Sequence, residues 1–278
     1  MRHSSLDFYP HLPVTTLAPS WIQQNATTKL SEKWQKALVS FFVRKPHSVK
    51  EAQLIGSGFL HLLGGVQPCI MTASHVVNDL RQGDTPFFSI DGEKFRFRNL
   101  EFYHNAQQDY AVIPFSQEML ACERGYTLFR GDERALLNKT SSFVIMGYPS
   151  NRNRLHMERN NNGLYLQNLT FHHFSYDTDS EDIYFAFDPK AKKGGLTYEQ
   201  ASTRTSLSSL AGMSGSVIAQ IMEHQITGDF TLRAVGIFKE QPKKRQEKEK
   251  FLVGCSLIQF ADEVNDLIRL GKIMRGEV

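Results

Sequence analysis

Cysteine is scarce in this chain. Three are present among 278 residues: Cys69, Cys122 and Cys255. An odd, sparse set excludes a disulfide framework and suits a reducing compartment. Cys69, in Pro68-Cys69-Ile70-Met71, reads as a buried small hydrophobe. No apolar run reaches the roughly eighteen residues that a membrane-spanning helix needs. The opening Met1-Arg2-His3-Ser4-Ser5-Leu6-Asp7 has no apolar stretch, so no secretory signal and no membrane partner are expected, and the cytoplasm is the expected compartment. The net charge is only +3. That excess is too small for a nucleic-acid partner, which calls for a concentrated basic face. No Walker loop, dinucleotide fingerprint or zinc-type His/Cys spacing occurs. No metal and no cofactor are therefore expected.

What is present is strand signal. The apolar fraction, 41%, is ample for a core. Leu38–Val43 is rich in strand formers. Leu54–Leu63 and Val66–Ala73 flank Gly64-Gly65, and Phe87–Ile90 and Lys94–Phe97 flank Asp91-Gly92, both hairpin signals. Glu93-Lys94-Phe95-Arg96-Phe97-Arg98 alternates charged and aromatic residues, as a half-buried strand does. Tyr110–Phe115, Ser142–Pro149, Leu164–Phe174, Ile183–Phe187, Val217–Ile221, Leu232–Phe238 and Phe251–Ile258 continue the series. Residues 116–140 read as a crossover, and Asn151–Asn162 as a solvated loop. Residues 1–30 read as an irregular arm that either packs on the body or stays loose, after which Ser31 caps a short helix. Gln241–Lys250 is a charge run read as an exposed loop. This loop and the arm are the segments expected to gate access to a site. Phe260, Val264, Leu267, Ile268 and Leu270 fall near helical spacing, predicting a terminal amphipathic helix. Many short strands and few helices define an all-β barrel or sandwich.

Chemistry concentrates in three places. Leu210-Ala211-Gly212-Met213-Ser214-Gly215-Ser216-Val217 is a small-residue loop that holds a serine. Small residues let a backbone turn tightly and bring its N–H groups close to a ligand. A serine hydroxyl is a poor nucleophile at neutral pH and needs a base, and the base needs an orienting group. Thr72-Ala73-Ser74-His75-Val76-Val77 offers the base, and Gln108-Asp109-Tyr110-Ala111-Val112-Ile113 the orienter. With Ile55-Gly56-Ser57-Gly58-Phe59-Leu60, these segments resemble the signature segments of the trypsin-like (chymotrypsin-fold) serine peptidases. The matched segments run from about Gly56 to Leu257, in the family's order of His, Asp and Ser.

The resemblance implies two six-stranded antiparallel β-barrels packed together, with a C-terminal helix. The domain limits are then 1–45 for the arm and first strand, 46–125 for the first barrel, 126–258 for the second, and 259–278 for the helix and tail. It also implies a serine endopeptidase that hydrolyses peptide bonds through an acyl-enzyme. His75 would take the proton of Ser214, and Asp109 would hold the His75 ring in the right tautomer. The N–H groups of Gly212 and Ser214 would stabilise the oxyanion, worth about 3 kcal/mol each. Ser208, Phe238 and Lys239 would line the substrate pocket. The substrate is a polypeptide, and the resemblance to intracellular members points to one partner protein switched by cleavage.

Three departures bear on this reading. Val76 stands where many secreted members have a disulfide cysteine. Met213 stands where many have the aspartate that pairs with a freed N-terminal amine, which argues against activation by that route. Ser216 replaces a common glycine and is small enough to fit. No Asp or Glu lies between Ala201 and Met222, so strong selection for Lys or Arg is not expected. An α/β-hydrolase esterase is disfavoured, because its serine precedes its acid and histidine. A catalytically inactive binding or scaffold module on the same fold is the alternative. His172 and His173 are adjacent in a strand and point to opposite faces, which disfavours a shared metal. His61, His104, His156 and His224 have no partner pattern in the sequence.

Overall fold

The structure is a computed structural model. It describes residues 11–14, 30, 33–48, 50–65, 67–97, 100–120, 125–130, 141–156, 164, 166–171, 174–176, 182–186, 210–240 and 251–257. The strands among them are β1 (His11–Pro13), β2 (Leu38–Arg44), β3 (Glu51–Leu63), β4 (Gln67–Thr72), β5 (Phe87–Ile90), β6 (Glu93–Arg96), β7 (Tyr103–Asn105) and β8 (Tyr110–Pro114). The series continues with β9 (Phe143–Gly147), β10 (Arg154–His156), β11 (Gln167–Phe171), β12 (Phe174–Tyr176), β13 (Asp182–Ala186), β14 (Val217–His224), β15 (Phe230–Glu240) and β16 (Phe251–Ser256). The helices include α1 (Ser74–Gln82) and the one-turn α2 (Gln117–Leu120), and the described residues 30, 33 and 34 are also α-helical.

The chain is all-β, built from two antiparallel sheets, one of them curled into a half-barrel. The first sheet runs β6-β5-β2-β3-β4-β8-β7, and the second β11-β9-β14-β15-β16-β13-β12. Each path holds seven strands rather than six, and one short strand from afar brings each sheet to eight. β1, from the N-terminal arm, pairs with β14, and β10, from the presumed loop after residue 150, pairs with β3. These are corrections to the sequence reading. A three-residue strand is too short to show alternation and exists only because a longer strand offers it a free edge. Beside β1, Val14 is buried. Its N–H donates to the Ile221 carbonyl at 2.9 Å, and its own carbonyl accepts from Ser142 N–H at 2.8 Å. Part of the arm is thus bound to the body.

The hairpin signals are realised. Leu63 pairs with Gln67 across Gly64-Gly65, and Ile90 with Glu93 across Asp91-Gly92. In Glu93–Phe97 the phenylalanines are buried and Lys94 and Arg96 are exposed, as the alternation requires. Trp34 precedes a single 3-10 turn, Gln35–Ala37, and stacks on Phe129 at 4.3 Å between ring centroids. Ser31, His172, His173, Ser208, the Gln241–Lys250 run and the terminal segment from 259 lie outside the described residues.

Three apolar clusters form the core. One, with Phe41, Leu60, Ile70, Val76 and Leu80, fills the first sheet and seats α1. One, with Phe143, Ile145, Met213, Ile218 and Phe238, fills the second. The third joins the two sheets, with Phe59, Met71 and Val112 meeting Val144, Met146 and Val217. Cys69 and Cys255 are buried. Among the described residues no helix is long and apolar enough to cross a membrane.

Candidate active site

His75 stands in the first turn of α1, a helix that the sequence reading did not anticipate. β4 ends at Thr72, and the chain turns directly into the helix. The residue that would cap this helix is Ala73, which has no side-chain oxygen to give. The missing acceptor comes from another element. Asp109 Oδ1 accepts the His75 backbone N–H at 3.0 Å. The same carboxylate accepts the His75 ring, with Nδ1 at 3.0 Å from Oδ1 and 2.9 Å from Oδ2. One aspartate thus caps a helix and fixes a ring, and the positive end of the helix dipole stabilises its charge. A carboxylate only accepts, so Nδ1 carries the proton and Nε2 is the acceptor of the neutral ring.

Asp109 is held by its turn. It sits just before β8 with φ of 59°, in the left-handed region that Asp and Asn enter most readily among non-glycine residues. Asn105 Oδ1 accepts the N–H groups of Gln107 and Gln108 at 3.0 and 3.1 Å, closing the loop that presents it. The His75 side chain is 43% exposed and Asp109 23%, so the pair opens to solvent on one side.

The serine loop lies between the sheets. Gly212 and Gly215 have φ of 87° and 86°, where a side chain is strained. Space forbids one as well. A Cβ on Gly215 would strike the Ser57 carbonyl and the Thr72 hydroxyl, and would lie 3.1 Å from Ala73 N. The loop is therefore packed on the turn that leads into His75. A Cβ on Gly212 would strike Leu54 and come within 2.9 Å of the Tyr148 carbonyl.

Most N–H groups of the loop are spent internally. Met213 N–H donates to the Leu210 carbonyl at 2.9 Å, Gly215 N–H to Phe238 at 2.7 Å, and Ser216 N–H to Met213 at 2.9 Å. Among the described residues, the N–H groups of Gly212 and Ser214 donate to no protein acceptor. These are the two singled out as oxyanion donors.

Met213 is fully buried in the second apolar cluster, so the place before the serine is an apolar socket. Ser216 is fully buried too, its hydroxyl against Gly147 where a Cβ would not fit. Of the pocket residues, Phe238 is buried in the core and meets the serine loop through its backbone, its N–H donating to the Ser216 carbonyl at 2.8 Å. Lys239 Nζ pairs with Asp182 Oδ1 at 2.6 Å, a largely buried contact.

The residue that the sequence reading passed over is Ser57. Fully buried on β3, it uses every polar atom it has. Its N–H donates to the Ser214 carbonyl at 2.8 Å, and its hydroxyl donates to the Gly212 carbonyl at 2.7 Å. The hydroxyl accepts Tyr148 N–H at 2.8 Å, and the Ser57 carbonyl accepts the Thr72 hydroxyl at 2.7 Å. The only signal in the sequence was a serine between two glycines inside a strand. Among the described residues no group of three metal-ligating side chains is gathered.

No family model and no curated protein matches this chain. Among solved structures it is similar to a chain from work on how aromatic interactions drive the coupled folding and binding of the intrinsically disordered Sesbania mosaic virus VPg protein. The alignment covers 93% of this chain and 96% of that one, at 14% identity and a TM-score of 0.44. A likeness that distant carries no argument about activity.

Proposed function

We propose that this chain is a serine endopeptidase of the trypsin-like kind, acting on a polypeptide. One observation carries the reading: the doubly bonded His75–Asp109 pair beside a serine loop in which, among the described residues, the Gly212 and Ser214 N–H groups donate to no protein acceptor. In this reading Ser214 Oγ attacks the scissile carbonyl and His75 Nε2 takes its proton. The oxyanion forms at the Gly212 and Ser214 N–H groups. The amine leaves with the proton held by His75, and water, activated by the same base, releases the acid. The apolar burial of Met213 argues against activation by a freed N-terminal amine pairing at that place. The sparse, odd set of three cysteines favours a reducing compartment, the cytoplasm, and a partner protein switched by cleavage fits that setting.

The test is labelling with a fluorophosphonate probe. Wild type labels, and Ser214→Ala and His75→Ala do not. A binding module without turnover is the alternative reading. Folded wild-type protein that neither labels nor cleaves any denatured protein offered to it would decide for that module.

A further inference from the structure

His104 had no partner pattern in the sequence, and the fold gives it one. Its Nδ1 lies 2.9 Å from the hydroxyl of Ser74, which is 1% exposed. Ser74 is the first residue of α1 and the chain neighbour of His75. His104 lies on β7, where it pairs with Ala111 of β8. Asp109 closes the turn of that same hairpin. Two consecutive residues at the start of a helix whose N-cap residue, Ala73, offers no side-chain acceptor are therefore fastened to one hairpin, Ser74 to His104 and His75 to Asp109. A third contact lies further along the helix. The Phe102 ring sits 5.6 Å from the His104 ring, and the Arg81 guanidinium lies over Phe102 at 5.6 Å.

We infer that His104 is a positioning residue that acts through Ser74 to hold the His75 ring in register with Asp109. The inference rests on the peptidase reading of the site. Core packing of Val76 and Val77 seats the helix, and Asp109 fixes the His75 end of it at one polar point. A second anchor on the neighbouring residue, set in the same rigid hairpin, fixes it at another. A serine hydroxyl both donates and accepts, so the bond holds with either nitrogen role of His104. Small losses of alignment at a reacting centre are costly, since a displacement of about 1 Å can cost a hundred-fold in rate.

The test compares wild type with Ser74→Ala, His104→Leu and His104→Asn. The asparagine amide reaches the place of Nδ1, so this variant keeps the bond. The first readout is the proton resonance of His75 Nδ1–H in protein labelled with 15N-histidine, assigned by its loss in His75→Ala. The second is the rate of fluorophosphonate labelling, with circular dichroism reporting the fold. In Ser74→Ala and His104→Leu the resonance exchanges faster with water and labelling slows about ten-fold or more, while His104→Asn restores both. A His75 resonance and labelling rate unchanged in folded His104→Leu would overturn the inference. If wild type itself fails to label, the peptidase reading falls, and the resonance alone still decides whether His104 holds His75.

Discussion

The Ser57 N–H reaches from the first sheet to the carbonyl of Ser214 in the serine loop at 2.8 Å. With its hydroxyl on Gly212 and Tyr148, this one residue fastens the serine loop to the sheet that carries His75. Replacing Ser57 by alanine keeps the backbone bond and removes the hydroxyl. The Gly212 carbonyl and the Tyr148 N–H are then left buried without a partner, at roughly 1–3 kcal/mol each. Chemical denaturation is expected to show a loss of about 2–6 kcal/mol for the two groups together, and fluorophosphonate labelling of the protein still folded is expected to slow. Unchanged labelling would mean that the loop holds its shape without the bridge.

Gly215→Ala tests the loop itself. The positive φ alone costs about 1–2 kcal/mol, and the new methyl group meets Ser57 and Thr72. The expected outcome is loss of labelling in protein that retains its sheet signal. Gly228→Ala is the control. It has a positive φ of 70° but nothing within 4 Å of the added methyl, so it is expected to lose stability and keep labelling.

Asp109→Asn separates charge from shape. Asparagine tolerates the left-handed backbone, and its side-chain oxygen still caps α1. The amide does not hold the proton on Nδ1 as the carboxylate does. Turnover is expected to fall by about ten-thousand-fold with little change in the thermal midpoint. A fall of only a few-fold would remove Asp109 from the orienting role.

Tyr148 supplies an alkaline signature. Burial, helped by the Asp91 carboxylate, pushes its phenol well above the ordinary tyrosine value. The folded chain then keeps the proton at pH values where the unfolded chain has lost it. The stabilisation is fully present below about pH 10, the unfolded value, and is lost as pH rises beyond it toward the folded value. The thermal midpoint is expected to fall steeply above that pH, and Tyr148→Phe to flatten the fall. An identical slope in Tyr148→Phe would assign the effect elsewhere.

The N-terminal arm offers a test of gating against support. A chain that begins at residue 15 loses β1 and the buried Val14. Burial of a valine is worth roughly 1.5–3 kcal/mol, so a stability loss of about that size is expected. Labelling of the folded fraction should be unchanged. Faster labelling would instead make the arm a gate.

Local chemistry wrote much of this molecule into the chain. Hairpins at Gly64-Gly65 and Asp91-Gly92, the alternation of Glu93–Phe97 and the burial of Cys69 follow from turn preference and periodicity, which act over a few residues. The three segments bearing His75, Asp109 and Ser214 were legible for the same reason, as short runs of distinctive residues. Other features depend on partners far away in sequence. β1 and β10 are strands only because β14 and β3 present open edges. Helix α1 starts without a side-chain cap of its own because Asp109, 34 residues on, supplies the acceptor. Ser57 and His104 took on their parts only when folding brought Gly212 and Tyr148 to the one, and Ser74 to the other. A hydrogen bond is specified by both of its ends. Where those ends lie tens to hundreds of residues apart, tertiary structure alone brings them together.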